Sequence, residues 1–170
     1  LRQALVRLPE DDIEAQMEAL RIFKKGHVLR VAASDITGAL PLMKVSDYLT
    51  WIAEAVLEEV LWLAWRDLTA RHGVPHRADG SPCNPDFIVV GYGKLGGLEL
   101  GYGSDLDLVF IHDAAPDGET DGQRALDNAS FFARLGQKMI AFLTAATSAG
   151  LLYEVDMRLR PSGISGLLVS

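Results

Sequence analysis

The chain has 170 residues, of which 49% are hydrophobic and 23% charged, the composition of a globular protein with one real core rather than a disordered or fibrous one. Sixteen Lys and Arg against 23 Asp and Glu leave a net charge of −7, which argues against a broad phosphate-binding surface and so against a bulk nucleic-acid partner. A single cysteine, Cys83, excludes an internal disulfide and a Cys-rich zinc site and fits a reducing compartment, and no apolar run approaches the roughly 18–20 residues of a membrane span.

The N-terminus, LRQALVRLPEDD, has no initiator Met and no apolar signal region, and the chain stops at Leu-Leu-Val-Ser. It is expected to be a piece of a longer polypeptide. The first seventy-odd residues carry helical periodicity. Asp11 and Asp12 suit a helix N-terminus, and Ile13, Met17, Leu20 and Phe23 extend the pattern to about Lys25. Gly26 predicts a break, with a shorter helix from His27 to about Ala33. After Pro41, Ser46 or Asp47 is the expected cap of a long helix ending near Arg71. Its apolar face runs through Leu49, Ile52, Ala53, Val56, Leu57, Val60, Leu61, Ala64, Trp65 and Leu68. The three tryptophans, Trp51, Trp62 and Trp65, are expected to be packing anchors.

A Pro- and Gly-rich connector follows at residues 75–86, dividing a helical segment (1–74) from a core (87–170). Beyond it the period changes. Phe87–Val90 and Leu106–Ile111 read as strands, and APDGETDGQ as an acidic loop. Leu126–Thr147 reads as a helix with Phe131, Leu135, Met139, Phe142 and Leu143 inward, and Leu151–Leu159 as a third strand. Helices first, then strand, strand, helix, strand is an α+β or α/β order.

The stretch VVGYGKLGGLELGYGSDLDLVFIHD spells G-x-G-x-x-G at Gly91, Gly93 and Gly96, with Asp113 about twenty residues on: the dinucleotide fingerprint. That reading fails on length. The eight residues from Gly97 to Ser104 allow about two helical turns, broken by Gly101 and Gly103, whereas a parallel crossover needs about a dozen residues or more. Asp113 is then a solvated carboxylate at a strand end. What remains is a glycine turn followed by Ser104-Asp105-Leu106-Asp107. Strand alternation puts Asp105 and Asp107 on one face, roughly 7 Å apart, and Leu106 and Leu108 in the core. Paired carboxylates repel unless a cation lies between them, and Mg²⁺ takes one or two carboxylates plus phosphates. In the third strand Tyr153, Val155, Met157 and Leu159 face one way. Glu154, Asp156, Arg158 and Arg160 face the other, a polar face suited to a site: Asp156 to complete a metal cluster, Arg158 and Arg160 to meet phosphate oxygens. The competing reading is a surface strand with weak salt bridges.

A glycine turn after the first strand, D-x-D on the second and a lone acid on a later one resemble the nucleotidyltransferase fold of the DNA polymerase beta superfamily. GYGKLGGLELGYGSDLDLVF and YEVDMRLRPSGISGLLVS resemble the glutamine synthetase adenylyltransferase family, bacterial enzymes that add AMP in one core and remove it in another. The upstream HVLRVAASDITGALPLMKVSDYLTWIAEAVL is similar to the helical segment before the catalytic core there, so the resemblance runs from about Leu20 to Ser170. Tyr92, Leu100-Gly101-Tyr102, Leu106 and Tyr153-Glu154 side with the adenylylating core; the alternatives are the paralogous AMP-removing core and a non-catalytic module. The resemblance implies an α+β fold with a small mixed sheet after a helical segment. It implies a cytoplasmic enzyme of nitrogen metabolism that uses ATP and Mg²⁺ on glutamine synthetase, with the PII signalling protein and glutamine as regulators. Asp105, Asp107 and Asp156 would be catalytic and hold the metal. Gly93, Lys94, Gly96, Gly97, Ser104, Arg158 and Arg160 would hold the nucleotide, Lys94 being equally readable as a solvated surface lysine.

Overall fold

A computed structural model describes residues 1, 5, 7–9, 11–147, 149–156 and 168–169. Helix α1 spans Ile13–Ile36 without interruption. Asp12 caps it, its carboxylate accepting the Ala15 N–H at 2.9 Å. The break expected at Gly26 does not occur. A Cβ built there meets nothing within 4 Å, so the glycine faces open space. Its propensity cost of about 1 kcal/mol is outweighed by the packing of the helix on either side of it, through Met17, Leu20 and Val31. The helix stops at Thr37, followed by Gly38 at φ +69°.

Helix α2, Leu42–His72, begins a turn earlier than the predicted Ser46 or Asp47 cap. Pro41 is its N-cap, in an extended conformation and with no capping side chain. The proline lacks an N–H and needs no partner for one, and its carbonyl takes the Lys44 and Val45 amides. Asp47 instead pairs with Lys44 at 2.7 Å. The expected apolar face is buried apart from the half-buried Leu61, and Val45 and Leu63 join it. Only one of the three tryptophans is a core anchor. Trp65 is 6% exposed, while Trp51 and Trp62 are 50% and 38% exposed.

Among the described residues the sheet is mixed and four-stranded. Strand β1 (Phe87–Tyr92) pairs antiparallel with β2 (Leu106–His112), and the one-turn helix α3 (Gly93–Gly96) opens the connection between them. An antiparallel hairpin is not a βαβ unit, so the topology excludes the dinucleotide arrangement independently of loop length. Asp113, after β2, is exposed. On its other edge β2 pairs in parallel with β3 (Val155–Asp156) and, further along, with β4 (Leu168–Val169). The predicted third strand is therefore too long at its start. The Leu152 and Tyr153 amides both donate to the Leu143 carbonyl at 3.1 and 3.0 Å, which removes them from any ladder with β2. Its later part, including Met157, Arg158, Leu159 and Arg160, lies outside the described residues.

Helix α4, Asn128–Thr144, is capped by Asp127, whose carboxylate accepts the Ser130 N–H at 2.8 Å. It buries Phe131, Phe132, Leu135, Met139 and Leu143. Phe132 was not among the expected inward residues, and Phe142 is only half-buried. One hydrophobic cluster joins α1, α2, α4 and the sheet. Trp65 meets Phe131 edge-on at 5.4 Å, and Phe132 stacks on Phe87 at 5.9 Å and on His112 at 4.5 Å. The class is α+β, with helices preceding a small mixed sheet. Among the described residues no helix is long and apolar enough to cross a membrane.

Candidate active site

The site is built at the end of the sheet where β1 leaves and β2 begins. Leu106 and Leu108 are 0% and 1% exposed and fix which face of β2 is the core. Asp107, between them, is half-buried on the opposite face. Its Cα partners are Tyr92 on β1 and Asp156 on β3. Residues in register on neighbouring strands share a face, with strands about 4.8 Å apart, so Asp107 and Asp156 are adjacent acids. Asp105 is exposed and lies just before β2 begins.

The glycine turn is packed against this row. Gly93 has φ +53°, and a Cβ there would lie 2.3 Å from the Asp107 Oδ2. Only glycine permits this backbone so close to the carboxylate. Gly96 is needed for a second close approach: its Cβ would lie 2.6 Å from the Gly91 carbonyl oxygen. Leu95 is buried under the turn and anchors it.

Within the loop some donors are already committed. The Gly97 N–H donates to the Gly93 carbonyl at 3.0 Å, and the Ser104 N–H to the Gly101 carbonyl at 3.2 Å. Ser104 Oγ accepts the Gly101 N–H at 3.0 Å, so what Ser104 offers a ligand is its hydroxyl proton. The first amides of a one-turn helix lie outside any intrahelical ladder, so those at the start of α3 have no partner within the helix. Lys94 is exposed. Arg158 and Arg160 are outside the described residues.

Asp107, Asp156 and the Gly93 turn are thus brought together, with Asp105 and Ser104 at the margin. Among the described residues no group of three or more His, Cys, Asp and Glu is drawn close enough to hold a metal ion. Asp105, Asp107 and Asp156, expected as a three-carboxylate cluster, are not drawn into one: the register pairs Asp107 with Asp156, and Asp105 lies exposed just before β2. Two features escaped the sequence reading. Tyr92, in register with Asp107, is 48% exposed beside the carboxylates. The Tyr102 hydroxyl reaches from the loop to Asp35 of α1, and an acid near the C-terminal end of a helix was the available signal.

A glycine turn against the middle acid of a small mixed sheet, with a second acid one strand away, is the arrangement expected of a nucleotidyltransferase core. The family profile described as glutamate-ammonia ligase adenylyltransferase matches residues 1–170, and the chain belongs to that family. Among its relatives are bifunctional glutamine synthetase adenylyltransferase/adenylyl-removing enzymes. Those of Pseudomonas aeruginosa, Pseudomonas putida and Pseudomonas syringae pv. tomato are 71%, 69% and 68% identical over 170 residues. Each comparison covers 100% of this chain and 17% of the relative, so the chain spans about a sixth of the length of these proteins.

Proposed function

We propose that this chain carries the nucleotidyltransferase core that moves AMP from ATP onto a tyrosine of glutamine synthetase. The observation that carries the reading is the register of Asp107 with Asp156, set against the Gly93 backbone. The donor set, carboxylate oxygens on adjacent strands beside a glycine turn, is of the kind Mg²⁺ takes together with substrate phosphates. Asp107 and Asp156, with Asp105, would hold it; when bound, the ion offsets charge on the triphosphate and on the entering and leaving oxygens.

The chain's own residues supply the rest. The start of α3, from Gly93 to Gly96, receives phosphate oxygens, and Gly97 closes that turn. Ser104 donates its hydroxyl proton to the nucleotide. Lys94, Arg158 and Arg160 are the cations nearest in sequence to these elements and would balance the triphosphate's charge. The tyrosine oxygen attacks the α-phosphorus, an O–P bond forms, the α–β bridging bond breaks and pyrophosphate leaves. The phenolic proton passes to Asp156 or to solvent.

The relatives' printed names include removal as well as transfer, and in the paralogous core orthophosphate would attack the AMP–tyrosine bond to release ADP. Tyr92, Leu100-Gly101-Tyr102 and Tyr153-Glu154 favour the transferring core. Regulation by the PII signalling protein and glutamine, and a cytoplasmic location, belong to the same proposal. The net charge of −7 supports a protein rather than a nucleic-acid or anionic-membrane partner. The test is to place this segment in an enzyme of the relatives' length. That enzyme is supplied either with labelled ATP and glutamine synthetase, or with orthophosphate and adenylylated glutamine synthetase. Each arm is run with and without Asp107→Asn in this segment: loss of label transfer alone supports the proposal, loss of release alone assigns the removing core, and loss of neither assigns a non-catalytic module.

A further inference from the structure

Asp35 lies in the last turn of α1, and no basic residue occupies that turn. A carboxylate there meets the negative end of the helix dipole, an unfavourable place for it. Its Oδ2 accepts a hydrogen bond from the Tyr102 hydroxyl at 2.9 Å, across 67 residues of sequence. Tyr102 stands at the tip of the turn 101–104. That turn is closed by two reciprocal bonds: the Ser104 N–H to the Gly101 carbonyl, and the Gly101 N–H to Ser104 Oγ.

The segment leading into β2 contains Gly96, Gly97, Gly101 and Gly103, residues that restrict the backbone least. Leu100, 2% exposed, pins its middle into the core. From Leu100 to the start of β2 the chain crosses open surface, and Gly101, Tyr102, Gly103 and Asp105 are all exposed. The Tyr102 side chain ties this crossing to α1. Partial burial and the Asp35 bond together hold the phenol in its protonated form, so it remains a donor.

We propose that the Tyr102–Asp35 hydrogen bond is a strut through which α1 sets the positions of Ser104 and Asp105, making Tyr102 and Asp35 positioning residues of the nucleotide site. The inference rests on the nucleotidyltransferase reading above. It assigns the helical segment before the core a direct part in site geometry. Loss of the strut leaves the glycine-rich crossing to be ordered by the nucleotide itself, which weakens binding.

The test uses α,β-methylene ATP with Mg²⁺, titrated into the wild-type chain, Tyr102→Phe, Asp35→Ala and the double variant. Amide hydrogen exchange is measured in parallel without nucleotide. Each single variant is expected to weaken binding about two- to tenfold, the worth of one solvent-accessible hydrogen bond. The double variant should weaken it no further, because both changes remove the same bond. Exchange at the Gly101 and Ser104 amides should quicken in all three variants while the core amides of β2 stay protected. Unchanged exchange overturns the strut whatever the nucleotide does. Faster exchange with unchanged affinity overturns its part in binding, as does full additivity in the double variant. A wild-type chain that binds no nucleotide overturns the reading of the site, and the exchange measurement still reports on the strut.

Discussion

Asp107 stands between Tyr92 on one neighbouring strand and Asp156 on the other, with the Gly93 backbone against its carboxylate. Asp107→Asn keeps the shape and removes the charge. In an enzyme of the relatives' length, AMP transfer should fall by about two orders of magnitude or more. The thermal midpoint should stay close to that of the wild type, since the substitution is isosteric; retained activity would contradict the assignment. Gly93→Ala forces both an unfavourable φ and a clash with Asp107, and should cost about 1–3 kcal/mol in denaturant unfolding. Cys83 has no place in the chemistry. It is 3% exposed, and burial pushes its thiol pKa up to about 12, with Asp86 adding to the effect. The unfolded thiol ionises near its ordinary value and the folded one only near 12, so this group's contribution to stability is complete below about 9 and is lost as pH rises between the two. Iodoacetamide at pH 8 should leave the native chain unmodified and label it in denaturant, read by mass spectrometry. At this scale Asp107 was legible because a two-residue period says which side chains leave the core. Asp156 was expected to join it, but the register that sets the two opposite each other was not legible, because strand register is a long-range property that alternation alone does not set.

Helix α1 shows why element boundaries were harder to read than element types. A glycine inside a helical pattern costs about 1 kcal/mol, and the packing of Met17, Leu20 and Val31 outweighs it. Gly26→Ala should therefore raise stability by about 0.5–1 kcal/mol, seen as a higher thermal midpoint, because the added methyl meets nothing within 4 Å. A fall would mean that the helix does break there. Helix α2 was misread at its start because Ser46 and Asp47 resemble caps, whereas Pro41 ends the preceding extended segment and supplies the first accepting carbonyl. The third strand was read too long because Leu151–Tyr153 continue an apolar pattern, whereas the Leu152 and Tyr153 amides are taken by the end of α4. Helix α1 also reaches this corner: the Lys24 ammonium donates to the Leu152 carbonyl and lies 4.0 Å from the Tyr153 ring centre. The same helix thus touches the segments that lead into both β2 and β3.

Across the whole molecule, one hydrophobic cluster runs from Met17 to Tyr153 and includes both faces of the Trp65–Phe131–Phe132–Phe87 contact. Phe132→Ala should cost about 3–5 kcal/mol. Far-ultraviolet circular dichroism and tryptophan fluorescence should still report one coincident unfolding transition; two separate transitions would show that the helical segment and the sheet fold independently. The helices-then-sheet order was legible from periodicity, and the short crossover excluded the parallel dinucleotide unit without indicating the antiparallel pairing of β1 and β2. The contact between the leading helix and the glycine loop was not, since an acid at the end of a helix signals that a partner is needed but not which distant residue supplies it. The central claim is that the Asp107–Asp156 pair and the Gly93 turn form one metal–nucleotide site. Crystals of the chain grown with Mn²⁺ in place of Mg²⁺ and with α,β-methylene ATP test it most directly, through the anomalous signal of the ion. A peak between the carboxylates of Asp107 and Asp156, with the triphosphate on residues 93–96, is the predicted result. Nucleotide bound elsewhere, or bound here with no ion between those two side chains, would contradict it.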